Sequence, residues 1–480
     1  MLHRQKPFIQ MIQVGTIMTL FANSGCNPFV KMKNPTEKKY EVILPRETSP
    51  SPDLRWLVKE DPACVSSEVV SEITIYEWNG HQTVAKKVPF IGHAGPDKEF
   101  VSTSIVGSLL GYKSTYNCKN SQSGADDCTL DKSKSSSDET PFAMCRGNGT
   151  YGRDSLESLT LTAQYYTEDA YRFYDSIQGR LSGIAKAILI PQPLVNRHVT
   201  KADGTTRDSI DVNNASFASI PATATQPKLG VFFIFPTSLK AFAKSPLNLW
   251  EVPFVMRHEF GHHVLNHYVK KNESLSIAND MSLESIMPEP SRKHPDQYTL
   301  SLTSATAAPQ FALDGINETF ADLFAYFAGN GAKGQLAGVR CLDVTRDPSS
   351  EVTAKGHPKG LDKARVDIYE GRSPALTDEG CGEPQFDDEH DIATALGQPI
   401  AAFIEGATPN LDAVGRAQIL LTWATKINAL VGTPSNVSLD TLIVEMVKAV
   451  KLKNPLIAAS CVKFKAAITG LPKAFDACAD

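Results

Sequence analysis

The apolar pattern along this 480-residue chain changes its period part way through. In the first half, apolar positions come in short runs between turn residues. SEVVSEITIYEW and QTVAKKVPFI, within residues 66 to 105, are β-branched runs separated by Asn79-Gly80, which predicts a hairpin. GVFFIFP, 230 to 236, predicts a buried strand that stops at Pro236. One helix interrupts this half: from residue 154, Leu159, Ala163, Tyr166, Ala170 and Phe173 recur at spacings of three and four. After Trp250 the pattern predicts helices over 251–270, 316–330, 391–405, 411–431 and 437–452. Residues 113–148 are polar and predict a loop. A β-rich first half feeding a helical second half predicts an α+β fold.

Composition narrows the class. With 42% hydrophobic and 21% charged residues the chain reads as globular, and its length can bury at least one sizeable core. A formal net charge of -5 gives no basic excess of the kind that favours nucleic acid.

The first 26 residues have Arg4 and Lys6 ahead of an apolar stretch from Phe8 to Phe21, then small residues leading to Cys26. That layout predicts a secretory signal, against the alternative of a cytoplasmic apolar helix. Ser24-Gly25-Cys26 resembles a bacterial lipoprotein processing site, which implies a lipid anchor on Cys26 and an exported, extracytoplasmic protein; Asn23 departs from the aliphatic residue of that pattern. Residues 27–65, rich in proline and charge, predict an extended tether. Of nine cysteines, eight remain once Cys26 is set aside, an even set suited to disulfides in an oxidising compartment. Their pairing stays open, although Cys461 and Cys478 could close a C-terminal loop.

The candidate chemistry starts at VMRHEFGHHVLNHY, 255 to 268. HEFGH fits H-E-x-x-H. On a helix His258 and His262 lie one turn apart on one face and can share a tetrahedral ion, while Glu259 beside them can hold a water without being a ligand. Zinc needs a third protein ligand. GINETFADLFAYF, 315 to 327, sets Glu318 four residues ahead of Asp322 among Phe320, Leu323, Phe324 and Phe327. A buried helix has little reason to carry two inward carboxylates unless something positive compensates them. Glu318 as third ligand and Asp322 as acceptor from a ligand histidine meet that need.

HEFGH followed by Gly315-Ile316-Asn317-Glu318-Thr319-Phe320-Ala321-Asp322 resembles the thermolysin family of zinc peptidases, the gluzincins. The resemblance implies a two-lobed fold, with a β-rich N-terminal lobe over 66–268 including the active-site helix and a mainly helical C-terminal lobe over 269–480. It implies one zinc ion on His258, His262 and Glu318, Glu259 as general base, and Asp322 behind His258. TAQYYTEDAYRFYDSI, 162 to 177, is similar to the family's tyrosine-rich helix. DVNNASF, 211 to 217, is similar to its substrate-binding edge strand, implying Asn214 and Ala215 as contacts to a peptide or protein substrate. DDEHDIATALGQPIAAFI, 387 to 404, resembles the second catalytic segment, implying His390 at the oxyanion with Asp387 or Asp388 orienting it. Arg340, or equally Arg346, resembles the arginine that shapes the pocket beyond the scissile bond.

The sequence also departs from the family. His262 and Glu318 are separated by 55 residues, which implies an insertion over 270–314. No acidic cluster suggests structural calcium. The catalytic tyrosine has two candidates, Tyr268 and Tyr298. A monomeric zinc endopeptidase is the expectation. The alternatives are a catalytically silent, surface-anchored binding protein on the same fold, and an aminopeptidase, which would need a Gly-x-Met-Glu-Asn segment this sequence lacks.

Overall fold

The computed structural model describes residues 72–89, 112–120, 126–131, 136–137, 152–153, 156–178, 184, 187–191, 194–200, 204–210, 215–220, 229–235, 247–269, 309–337, 339, 347–349, 389–431, 436–467 and 471–479, with some side chains among them left aside. The segments expected to be a leader and a tether, with Cys26, and Asn214, Tyr298, Arg340, Arg346, Asp387 and Asp388 lie outside the described residues, as does most of the expected insertion over 270–314.

Strands β1 (Glu72–Trp78) and β2 (Thr83–Pro89) form the expected antiparallel hairpin, closed by Asn79 N–H donating to the Gln82 carbonyl at 3.1 Å. The 113–148 tract differs from expectation: β3 (Tyr112–Asn120), β4 (Asp126–Leu130) and β5 (Ser136–Ser137) pair with one another there. Their largely polar sequences lack the period-two apolar signal by which a half-buried strand is recognised in sequence. The register sets Cys118 opposite Cys128.

Helix α1 (Leu156–Gln178) follows, with Leu159, Ala163, Tyr166 and Ala170 of the predicted stripe buried and Phe173 packed at the edge of the core. Then come β6 (Ala187–Pro191), β7 (Leu194–Thr200), β8 (Thr206–Ile210), β9 (Ala215–Ile220) and β10 (Leu229–Ile234). β3 pairs in parallel with β7, and β7 antiparallel with β8. β10 lies between β6, parallel, and β9, antiparallel. Its central position explains the uninterrupted apolar run at 230–236, because both faces of a central strand are covered. β9 pairs only with β10 among the described residues, so it forms an edge of that sheet.

Seven more helices complete the described chain: α2 (Pro253–Tyr268), α3 (Pro309–Ala328), α4 (Glu389–Ala407), α5 (Ala413–Val431), α6 (Leu439–Lys453), α7 (Ala458–Ala467) and α8 (Pro472–Ala479). Helix α3 begins seven residues earlier than the periodicity from 316 predicts, taking in the end of the insertion. It is buried on all sides through most of its length, touching α2 through Phe324 and Phe260 and α5 through Phe320 and Trp423. No described helix is long and apolar enough to cross a membrane.

The last three helices are locked to one another. Trp423 Nε1 donates to the Leu442 carbonyl at 2.8 Å, fixing α6 on α5. The buried Asp440 carboxylate on α6 accepts from the backbone N–H of Lys473 and Ala474 at 3.0 and 2.9 Å, capping α8 where its dipole favours negative charge. Cys461 and Cys478 form a disulfide between α7 and α8. Replacing both cysteines with serine should destabilise this corner by about 2–4 kcal/mol, read as a lower denaturation midpoint and reproduced by reductant on the parent chain.

Candidate metal centre

Helix α2 is aimed before it begins. A single 3-10 turn, Leu249–Glu251, leads into Pro253 at its first helical position, where the missing N–H costs nothing. Glu251 is fully buried and fully paired: its carboxylate accepts from Arg153 Nε at 2.7 Å, Thr83 Oγ1 at 2.8 Å, Asn248 Nδ2 at 2.8 Å and Asn248 N–H at 3.1 Å. The hairpin strand β2 is thereby tied to the start of α2. On the helix itself, Arg257 binds Asp169 of α1 through Nε at 3.0 Å and Nη2 at 2.6 Å.

The opposite face of α2 meets α3 backbone to backbone. A Cβ placed on Gly261 would lie 2.7 Å from Ala321 Cα and 3.0 Å from its carbonyl oxygen. Only glycine allows this approach. The contact sits between the turns of α3 that carry Glu318 and Asp322, so it sets how far their carboxylates reach toward the histidines of α2.

The reach is short. His258 Nε2 and His262 Nε2 are 3.0 Å apart; Glu318 Oε2 is 3.4 Å from the first and Oε1 is 3.3 Å from the second. Nitrogen and oxygen ligands held about 2.0–2.1 Å from a zinc ion at tetrahedral angles stand about 3.3 Å from one another. The three observed edges match that triangle, and the donor set of two imidazoles and a carboxylate suits zinc. Behind His258, Nδ1 lies 2.8 Å from Asp322 Oδ1, which favours the tautomer that leaves Nε2 free to ligate. Glu318 and Asp322 are both buried against the two imidazoles, a setting in which a bound dication is a natural compensation, and Glu259, next to His258 in sequence, is buried too.

Other contacts hold the imidazoles in place. Phe217 of β9 stacks on the His262 ring at 6.4 Å between centroids and 17° between planes. His263, facing away from the metal pair, sits among Phe217, Phe232 and Phe260 and against Gly230, where a Cβ would come within 2.6 Å of its Nδ1. The strand that carries Ala215 is thus packed directly on α2.

The structure therefore brings His258, His262, Glu318 and Asp322 together and buries Glu259 next to them in sequence, outside the cluster of ligand atoms. Ala215 begins β9, and His390 is the second residue of α4, described in its backbone only. The Tyr268 hydroxyl lies 3.3 Å from that of Tyr174 on α1. Sequence reasoning missed Gly261, Phe217, His263 and Gly230. The glycine inside HEFGH carries a signal after all: an exceptional choice in a helix interior points to close packing.

Gly261→Ala should destabilise the chain by about 1–3 kcal/mol, against the gain alanine usually gives inside a helix, and should weaken zinc binding measured by competition with a chromophoric chelator. Asp322→Asn should lower zinc affinity about 10–100-fold in the same titration while leaving the fold intact. No protein-family model matches this sequence and no curated protein matches it; the chemistry is read from the paired helices alone.

Proposed function

We propose that this chain is a zinc-dependent endopeptidase with a thermolysin-like site, exported and held at a membrane through Cys26. The observation that supports it best is the convergence of His258, His262 and Glu318 to the edge lengths of a tetrahedral zinc site, with Asp322 behind His258. Two histidines from one helix and two carboxylates four residues apart on another meet the needs of a metal centre at every position, first ligands and their support alike.

When bound, zinc supplies Lewis acidity that polarises the scissile carbonyl and acidifies the attacking water. The protein's own residues do the rest. Glu259, buried and outside the ligand cluster, takes the proton from that water and passes it to the departing amine. β9, at an edge of its sheet among the described residues, would hold an extended peptide from Ala215 onward, and Asn214, next to it in sequence, is the further contact we expect. Because Phe217 of the same strand stacks on His262, the peptide is registered against a metal ligand. His390, near the start of α4 and with Asp387 or Asp388 beside it, serves the developing oxyanion, and Arg340 shapes the pocket beyond the cleaved bond.

Glu259→Gln should retain about one zinc per chain and lose nearly all hydrolysis of an unstructured protein, while chelation should abolish activity of the parent chain and zinc restore it. Full activity in Glu259→Gln would overturn the mechanism. Zinc bound stoichiometrically with no cleavage of any substrate by the parent chain would assign it instead as a catalytically silent binding protein.

A further inference from the structure

The corner between α6 and α7 carries a surface that neither metal binding nor peptide hydrolysis uses. Leu452, Leu456 and Val462 are 70%, 87% and 71% exposed, and they are the large hydrophobic side chains that stand out in solvent among the described residues. All three fall within eleven consecutive positions, 452 to 462. Helix α7 continues the patch. Cys461 and Phe464 face inward, while Ala458, Ala459, Val462 and Ala466 lie on its exposed side together with Lys463 and Lys465, so the uncovered face mixes apolar side chains with cations. Exposed side chains scattered singly need no explanation; three large ones gathered at one corner do.

The charge around this corner is one-sided. From Met446 to Phe475 the chain holds six lysines, Lys448, Lys451, Lys453, Lys463, Lys465 and Lys473, and no aspartate or glutamate, in a chain whose net charge is -5. Among the described residues, Lys448 is the one lysine of these six that pairs with a carboxylate, Glu445 at 2.6 Å. Lys453 reaches the neutral Gln418 at 3.0 Å, and Lys465 lies over the Phe475 ring at 5.7 Å. Of the acidic groups on neighbouring elements, Asp440 caps α8, Glu405 accepts from Tyr326 and Arg416, and Glu445 pairs with Lys426 and Lys448, while Asp476 is exposed on α8, so the lysines outnumber the exposed carboxylates at this corner. The platform is rigid, because the Cys461–Cys478 disulfide and the Asp440 cap fix α7 and α8 to α6, and Phe464 packs on Phe403 of α4.

We propose that this corner docks on an anionic lipid surface, with Leu452, Leu456 and Val462 entering the boundary between headgroups and acyl chains and the lysines lying among the phosphates. Both halves of the chemistry are needed to choose this occupant. An acidic soluble protein would match the lysines but would gain little from two leucines projecting at a turn. A second copy of the chain would cover the leucines but would bring six further lysines against these six. An anionic bilayer accepts apolar side chains and cations at the same depth. Nothing in the corner spans the membrane; it lies on it. The contact is independent of any lipid on Cys26 and would orient the chain on a surface to which a tether alone would leave it loosely held.

The test uses the full chain with Cys26→Ser, which removes the lipid, sedimented with vesicles of phosphatidylcholine alone or with added phosphatidylglycerol. Binding should require phosphatidylglycerol and fall as salt is raised, since the lysine contribution is screened. Leu452→Ser/Leu456→Ser and Lys451→Glu/Lys453→Glu should each lower the partition coefficient at least about tenfold. Leu456→Ser alone, at the most exposed position, should lower it in the same direction, with thermal melting unchanged. All variants share the same N-terminal segment, so differences between them report on the corner. Equal binding of all variants, or equal binding to both vesicle types, would overturn the proposal. So would a dimer that dissociates in Leu452→Ser/Leu456→Ser without vesicle binding, which would assign the patch to self-association.

Discussion

The approach of Gly261 to Ala321 is the constraint on which the cluster of His258, His262, Glu318 and Asp322 depends. Two helices packed through ordinary side chains stand 8–10 Å apart, a distance filled by the side chains between them. Here the backbones meet without a Cβ on one side, and the short Glu318 and Asp322 side chains can then reach imidazoles on the facing helix. A slightly wider separation would break the triangle of nitrogen and oxygen atoms, because a carboxylate two carbons from its backbone has little slack.

Contacts on the other sides of both helices hold them in this position. Glu251 anchors the start of α2 to the hairpin, Arg257 ties its first turns to Asp169 of α1, and His263 wedges it against the β9–β10 pair at Gly230. On α3, Phe324 presses toward Phe260 and Phe173, while Tyr326 donates to Glu405, which also receives Arg416. Burial, with the Glu405 carboxylate next, pushes the Tyr326 phenol well above its ordinary range, so it stays a donor at all physiological pH. The polar anchors on α2 and α3 are each paired, which gives them fixed geometry rather than net stabilisation.

Much of this was legible in the sequence, for physical reasons that differ by element. Helices α1 to α6 announce themselves because a three-four apolar period is long enough to stand above noise, and β10 because a central strand is apolar on both faces. His258, His262, Glu318 and Asp322 could be grouped from spacing and from the cost of burying carboxylates. The polar strands β3 to β5 could not be seen, since their pairing is made by backbone groups that every residue carries. Helices α7 and α8 are short, and in α7 the exposed side mixes Lys463 and Lys465 with alanines and Val462, which blurs its period. Gly261 was in view inside HEFGH, but a glycine's role lies in what approaches it, and that partner, Ala321, is 60 residues away in sequence.

A centre assembled this way couples metal to fold. Ligands on α2 alone could hold an ion only weakly; closing the set needs α3, whose own position rests on α4 and α5 through Tyr326, Glu405 and Arg416. A dication bound here would therefore stabilise the pairing of the two helices by mass action, in proportion to its excess over its dissociation constant. The reverse also holds, since the Gly261 contact pre-assembles the ligands and spares the ion the cost of ordering them. The buried carboxylates Glu318 and Asp322 lie against the two imidazoles, so a cation at this point adds to a charge balance that the histidines already share. Because an imidazole must be unprotonated at Nε2 to ligate, a cation at this point would be held in competition with protons.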